Sequence, residues 1–504
     1  MVVGKESKIE VTTRNYKVAS IMGIDSPFVL KCLKETQSWD LFSKIAFREG
    51  QEKVHPNLVE ILKEIVNKCN GVPLVIKTLG TILYLKTEES QWLSIKNTEK
   101  LLSLGIGNDN ILSVLKLSYD NLPIHLKQCF TFCASFPKDY EIEKKLLVEL
   151  WIAQGYILDE DVGDEYFEGL LSRLLLEEFE KDAYNNLLSC KMYDLIHDLA
   201  QSVIGSEVLT LNDDVKEISK EVLHVSLSGP NLKLTALKVK HIRTLLSIKR
   251  SNQYDSKENV IFNSTFSSSS FKGLRVLGLN HFYLNSIPKC LDQLTHLRYL
   301  DLSKNKFEIL PNSITKLKNL QILQLAQCFK LKEFPKDIRE SINLRHLENN
   351  GCCGVTHMPC GIGELTLLQT LRVFIVGNRG GGFRDDHEIG RLSELKGLNN
   401  LKGELRIENL QNVRDVVVES RKANLKEKKY VQSLRLEWWY RGAQSSEDSE
   451  SPMEGLQPHP NLKGYGGMRF PSWMMNGGLS TMLPNLITIN LEGCSRCHTL
   501  PCFV

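Results

Sequence analysis

Apolar residues recur along the second half of the chain at a fixed interval. The segments FKGLRVLGL, LTHLRYLDL, LKNLQILQL, SINLRHLEN and LTLLQTLRV align on Leu274, Leu297, Leu320, Leu344 and Leu368, at steps of 23, 23, 24 and 24 residues. Each follows L-x-x-L-x-L or a close variant, as at Leu297, Leu300 and Leu302. Such alternation turns one face of a short strand inward. A polar or thiol residue follows at the turn (Asn305, Cys328, Cys352), where a side chain can satisfy buried backbone groups. A second apolar residue then precedes a proline, at Ile287-Pro288, Leu310-Pro311, Phe334-Pro335 and Met358-Pro359. Proline there excludes another strand on the return path. The interval and pattern predict a leucine-rich-repeat solenoid over 271–504, its strands lining a concave face whose outward positions form the binding surface. An unrelated leucine-rich α/β domain would not hold five units in register.

Beyond residue 380 the pattern weakens. VQSLRLEW and LPNLITINLEGC still fit, the second with Cys494 at its turn. Between them, PHPNLKGYGGMRFPSW leaves no room for a full strand after Asn461-Leu462, so a shortened coil is expected near 461–470. No polar capping unit precedes Val504, so the solenoid is expected to be cut short.

In the first half the period is helical. Trp39, Phe42 and Ala46 share a face of a helix with Ser38 as candidate N-cap. A second helix from Pro56 carries Leu58, Ile61, Leu62, Ile65 and Cys69; Gly71 stops it and Pro73 starts the next. Around LPIHLKQCF and EKKLLVELWIAQGYI short helices and turns suit a winged helix, with one side of the second helix in the core. CKMYDLIHDLAQSVIG sets Met192, Leu195, Ile196, Leu199 and Val203 on one side, and Asp194, His197, Asp198 and Gln201 on the other.

Composition narrows the picture. The 504 residues are 42% hydrophobic with net charge +3, so neither nucleic acid nor an anionic membrane is demanded. Thirteen scattered cysteines fit free thiols in a reducing compartment better than a disulfide framework. No signal peptide or stretch of about 18 apolar residues is present, pointing to a cytoplasmic, or also nuclear, protein without a membrane span. Lys144-Lys145 is opposed by Glu141, Glu143 and Glu149, against a nucleic-acid-binding wing. Asp194, His197 and Asp198 have helical ligand spacing, but three helical neighbours read as structural contacts rather than a metal site. Cys494 and Cys497 form a lone C-x-x-C, for which zinc or redox use is not expected. The acidic, serine-bearing stretch 444–454 reads as a solvated loop.

In order, KIEVTTR (8–14), SWDLFSKIAF (38–47), CNGVPLVIKTLG (69–80), CFTFCASFPKDYEIEKKLLVELWIAQGYI (129–157) and MYDLIHDLAQ (192–201) resemble the plant intracellular nucleotide-binding leucine-rich-repeat immune receptors, coiled-coil type. The resemblance implies an α/β multidomain chain, with a helical domain and a winged-helix domain followed by the repeats. Its expected parts are a C-terminal remnant of the nucleotide-binding α/β domain (1–28), a helical domain (29–105), a winged-helix domain (106–205), a linker with irregular first repeats (206–270) and the solenoid (271–504).

The resemblance further implies an ADP/ATP switch with at most weak ATPase activity, not an enzyme. Its partners would be a pathogen effector or guarded host protein on the repeats, and an intramolecular contact of the repeats with the nucleotide-binding module. Arg14 matches the arginine that senses the terminal phosphate, and Pro73 the proline that packs on adenine. Tyr193 and Asp194 stand where the family has His-Asp, whose histidine contacts the ADP phosphate. Tyrosine is bulkier and cannot become cationic, so a weaker ADP-bound lock is expected.

Two departures bear on this. The chain has no Gly-x-x-x-x-Gly-Lys followed by Ser or Thr; Gly4-Lys5 is followed by Glu6, and VGNRGGGF (376–383) has no lysine. No apolar strand ending in two aspartates precedes KIEVTTR; VLTLNDDV (208–215) imitates one out of order. Such a loop and its metal supply most phosphate affinity, so the reading is an N-terminally truncated member without a resident metal. The alternative is a non-signalling relic or adaptor, a protein-binding repeat scaffold only.

Overall fold

The computed structural model describes residues 12–13, 16–23, 26–47, 56–84, 86, 89–97, 108–182, 186–211, 218–228, 241–248, 271–287, 289–378, 388–414, 416–438, 455–467, 472–475 and 478–491. The chain divides into two units, residues 1–122 with 172–174, and residues 123–171 with 175–504.

The first unit is helical: α1 (Tyr16–Ile21), α2 (Glu35–Ala46), α3 (Pro56–Lys68), α4 (Pro73–Tyr84), α5 (Glu89–Lys96) and α6 (Asn108–Asp120). Phe42, Leu62, Ile65, Ile76, Leu79 and Val114 share one core. Because Val114 and Leu117 enter it, 108–120 packs with this unit rather than opening the winged helix. α2 begins before Ser38: Lys34 N–H donates to Gln37 Oε1 at 3.1 Å, and Ser38 is buried inside the helix. Gly71 has φ 70°, and a Cβ there would stand 2.2 Å from the Leu33 carbonyl oxygen. Glycine therefore both ends α3 and lets Leu33 N–H reach the Gly71 carbonyl at 2.9 Å.

The second unit opens with a winged helix: α7 (Ile124–Phe132), β1 (Ile142–Glu143), α8 (Lys144–Gln154), α9 (Glu160–Leu171), β2 (Glu177–Lys181), β3 (Leu187–Lys191) and α10 (Asp194–Ile204), its strands ordered β1-β3-β2 and antiparallel. Phe130, Phe132, Phe136 and Trp151 fill its core, and Trp151 Nε1–H donates to the Cys129 carbonyl at 3.2 Å. Gly155, at φ 81°, ends α8.

A parallel ladder follows: β4 (Val208–Leu211), β5 (His224–Leu227), β6 (Thr244–Ser247), β7 (Val276–Gly278), β8 (Tyr299–Asp301), β9 (Ile322–Gln324), β10 (His346–Glu348) and β11 (Thr370–Leu371). Residues 206–270, expected as linker and irregular first repeats, thus contribute three strands to it. VLTLNDDV belongs there too, its first four residues forming β4. A second ladder joins β12 (Val373–Ile375), β13 (Lys402–Glu408), β14 (Tyr430–Leu436), β15 (Gly464–Gly467) and β16 (Thr488–Leu491). The switch occurs where Asn349 takes both backbone groups of Val373, at 2.7 and 3.0 Å, turning Val373 away from β10 to pair with Arg406. One apolar core runs from Leu211 to Leu483 through both ladders.

The expected shortened coil near 461–470 is a correction: β15 is a paired strand, with Ser433 opposite Gly464 and Gly464 opposite Thr488. A Cβ at Gly464 would lie 3.1 Å from both Ser433 Oγ and Thr488 Oγ1, so crowding explains a glycine that conceals the strand. Tyr465 supplies its buried apolar side chain. Cys494, Cys497, Val504 and 444–454 lie outside the described residues.

The turn positions work as expected. Asn305 Nδ2 donates to the carbonyls of Leu279 (2.9 Å), Leu302 (2.8 Å) and Ser303 (3.3 Å), while Oδ1 accepts from Leu284 N–H at 3.0 Å. Cys328 and Cys352 each give one S–H to the carbonyl of the preceding coil, Leu302 and Leu325. A second ladder of exposed asparagines, Asn319 to Thr295 and Asn343 to Lys318, ties the coil entries at 2.7 Å. Asn305→Ala should cost roughly 2–3 kcal/mol, because it strands buried backbone groups, whereas Asn305→Cys, the residue of the next two coils, should cost clearly less. Urea midpoints test this; equal losses would refute the turn role.

Candidate functional site

The concave face of the first ladder is occupied by the chain's own winged helix. α8 is buried from Leu147 to Gln154. One side of it is winged-helix core, as expected, and the other lies on the strands. A helix buried all round needs two surfaces to receive it. At one end Ser226 Oγ–H donates to the Ser135 carbonyl, and the Phe132 ring stands edge-on to His224 at 5.1 Å. Gln154 Nε2 donates to Thr244 Oγ1 at 2.6 Å, and Arg275 Nη1 donates to the Gln154 carbonyl, at the negative end of the helix dipole. At the middle, Gln324 Nε2 donates to Glu149 Oε2 at 2.8 Å, and Lys145 pairs with Glu348 and lies 3.7 Å from Glu149 Oε1. At the far end Arg345 Nη1 donates to the Leu158 carbonyl at 3.0 Å, and Lys402 lies 3.9 Å from Glu160.

The outward strand positions Val276, Tyr299, Asp301, Ile322, His346 and Glu348 are consequently buried. Over these coils the outward positions, expected to form the binding surface, receive the chain's own winged helix instead of solvent. The signal was readable in part: a solvated face would not carry valine, tyrosine and isoleucine in a row, and an apolar helix with Glu149 and Gln154 inside it must bury them against something polar.

The interface is electrostatically tense. Burial pushes the Glu149 carboxyl up to about 7, against the opposing pull of Lys145 and the Gln324 hydrogen bond. Its Oε1 has no hydrogen-bond donor. Burial lowers Lys145, with Arg372 adding to the effect against Glu149, and raises Asp301. His346 is pushed down to about 3 and His224 to about 4, mainly by burial and then by neighbouring cations. A cavity of about 680 Å³ opens beside Lys145 and Glu149, lined also by Tyr140, Glu143, Tyr299 and Glu348.

The residues expected at the nucleotide fall elsewhere. Arg14 lies outside the described residues. Pro73 is exposed at the first position of α4, in the first unit. Tyr193 and Asp194 adjoin at the N-terminus of α10, in the second. Tyr193 O–H donates to Glu177 Oε1 at 2.7 Å; burial first and then Glu177 push the phenol up to about 12. His197, expected on the polar side of its helix, is buried, with Nε2 2.7 Å from the Phe136 carbonyl. Among the described residues no group of three His, Cys, Asp or Glu suits a metal ion, and no helix is long and apolar enough to cross a membrane.

Three family models match the chain: the NB-ARC domain over residues 2–52, the disease resistance protein winged helix domain over 136–200, and the R13L1/DRL21 leucine-rich repeats over 392–504. Putative disease resistance proteins RGA1 and RGA4 of Solanum bulbocastanum are 37% and 38% identical, over 98% and 99% of this chain and 47% of their own lengths. A putative disease resistance RPP13-like protein 1 of Arabidopsis thaliana is 34% identical over 98% of this chain and 47% of its own. The chain spans about half the length of these curated relatives.

Glu149 gives the interface a pH dependence of known sign. Raising the carboxyl from 4.5 to about 7 corresponds to roughly 3 kcal/mol in favour of its protonated form. That contribution is fully present below pH 4.5 and is lost as pH rises through about 7. His224 and His346 act oppositely, costing stability as pH falls below 6.5. Comparing Glu149→Gln with the parent isolates the carboxyl. The variant should be more stable at pH 7.5, with an advantage that shrinks toward pH 4.5. A difference in urea stability that does not change with pH would contradict the assignment.

Proposed function

We propose, for a chain that belongs to the plant disease resistance proteins with NB-ARC, winged-helix and leucine-rich-repeat modules, that its repeats serve as restraint and sensor at once. The carrying observation is the seating of α8 on the concave face. The first ladder holds the winged helix closed, and the later coils present a recognition surface. On β13, on β14 and at the residue that follows it, Arg406, Glu408, Arg435 and Glu437 form a half-buried lattice of opposite charges, with Arg435 Nε 2.6 Å from Glu437. Among the described residues, the hydrogen bonds and ion pairs of the winged helix with the repeats run from Ser226 to Lys402. The partner on the free coils is a pathogen effector or a guarded host protein, met in the cytoplasm or nucleus.

The family's module is a nucleotide-binding signalling device rather than a classical enzyme. Nucleotide exchange is the switch that partner binding would release, with Arg14, Pro73, Tyr193 and Asp194 as the nucleotide-facing positions. Against a phosphate at Tyr193 stands the bond of its hydroxyl to Glu177, a carboxylate that would repel one. That contact favours a second reading, a protein-binding scaffold whose response does not pass through ADP at Tyr193.

Lys145→Glu sets a third carboxylate beside Glu149 and Glu348 and should lift α8 from the strands. Tyr299, now buried, should then become severalfold more reactive in hydroxyl-radical footprinting while the helical circular-dichroism signal persists. Continued protection of Tyr299 would remove the restraint reading. Exchange of residues 403–491, which leaves the Lys402 contact in place, into a full-length relative should move pathogen-specific cell death with the exchanged coils. A response that stays with the recipient's own specificity would place recognition elsewhere.

A further inference from the structure

Three successive coils enter the first ladder with one pattern: His241-Ile242-Arg243, Gly273-Leu274-Arg275 and His296-Leu297-Arg298. The central residue of each is buried, and the flanking ones face away from the core. Arg275 N–H donates to the Arg243 carbonyl, and Arg298 N–H to the Arg275 carbonyl, each at 2.8 Å. The three arginines therefore stand on adjacent rungs, about 4.8 Å apart. Like charges at that spacing repel, and burial, Arg243 and Arg298 together lower Arg275. Arg275 reaches the Gln154 carbonyl, but among the described ion pairs no carboxylate answers any of the three.

Beside this row lies a cavity of about 760 Å³ lined by Lys220, His241, Arg243, Gly273, Arg275 and His296. The middle rung has glycine where its neighbours have histidine, so two imidazoles flank a gap. Two carboxylates also line the cavity, Glu207 and Glu221; Glu221 accepts the Ser206 hydroxyl. Lysine and arginine outnumber them, and the histidines add neutral N–H donors. Guanidinium forks match phosphate oxygens, and a row at strand spacing suits several phosphates on one molecule. The volume falls in the range of small-ligand sites, about 300–1,000 Å³, which argues against a nucleic-acid duplex.

We propose that this cavity binds a small polyphosphorylated anion, which neutralises the arginine row at the entry of the solenoid. The ligand is recognised by two or more closely spaced phosphates, carried on an inorganic chain or as esters. Calorimetric titration of the whole chain at physiological salt, with inorganic tripolyphosphate and with fructose 1,6-bisphosphate, separates these sources. At least one should bind saturably with one-to-one stoichiometry. Arg243→Gln, and His241→Asn combined with His296→Asn, should each weaken it roughly tenfold. These side chains are exposed, so thermal melting of the ligand-free variants should match the parent. No saturable binding by either probe, or equal affinity in the variants, would overturn the proposal. So would a short single-stranded oligodeoxynucleotide that binds more tightly than both and displaces them. Arg275 also touches α8, but the varied side chains Arg243, His241 and His296 make no hydrogen bond or ion pair with α8 among the described residues, so the variants test the cavity separately from the restraint.

Discussion

A helix buried on every side, with a carboxylate and an amide among its buried side chains, needs two surfaces to receive it, and much of the second unit is arranged around that requirement. α8 gives one side to Phe130, Phe136 and the winged-helix core, and the other to a row of strands that the repeats alone would leave wet. Removing either surface exposes a run of eight buried residues, Leu147 to Gln154. The two modules therefore share one structural element, and neither is at its own free-energy minimum without the other.

Polar groups make that shared element specific rather than merely sticky. Apolar contacts alone would tolerate a sliding helix, whereas Gln154 on Thr244 of β6, Gln324 of β9 on Glu149 and Lys145 on Glu348 of β10 fix its register at both ends of its footprint. The cost is concentrated at Glu149, whose buried carboxyl lacks a hydrogen bond on one oxygen. A contact held by such groups is easier to open than an oil-like one of equal area, because water immediately solvates what the interface satisfied only in part.

Much of this was legible in the chain. The leucine interval located the strands from Leu274 to Leu368, and the turn residues Asn305, Cys328 and Cys352 bond backbone as their chemistry requires. Gly71 and Pro73 punctuate the helices where expected. What was hidden followed from crowding and from contacts distant in sequence. Gly464 and Gly466 mask β15 because neighbouring strands leave little room for side chains. Ser38 looked like a cap because its chemistry suits one, but the helix starts on Gln37's bond to Lys34. His197 looked exposed by helical phase, yet Phe136 from a distant turn covers it. The coverage of the concave face by Glu149 and Lys145 joins positions far apart in sequence, beyond the reach of periodicity.

The handover at Val373 has a mechanical consequence. Regular strand pairing ends at β11 and restarts at β12, while the leucine core passes through unbroken. In a linear array of repeats, cooperativity is carried from neighbour to neighbour, and here the joint coil divides its backbone bonds, pairing with β10 through β11 and with β13 through β12 on either side of Arg372. The joint can thus act as a flexure. A load applied to the later coils and twisting them about Asn349 meets first the long, half-exposed pairs of Lys402 with Glu160 and Asp161, and only then the hydrogen bonds under α8, so the array yields in stages from its far end.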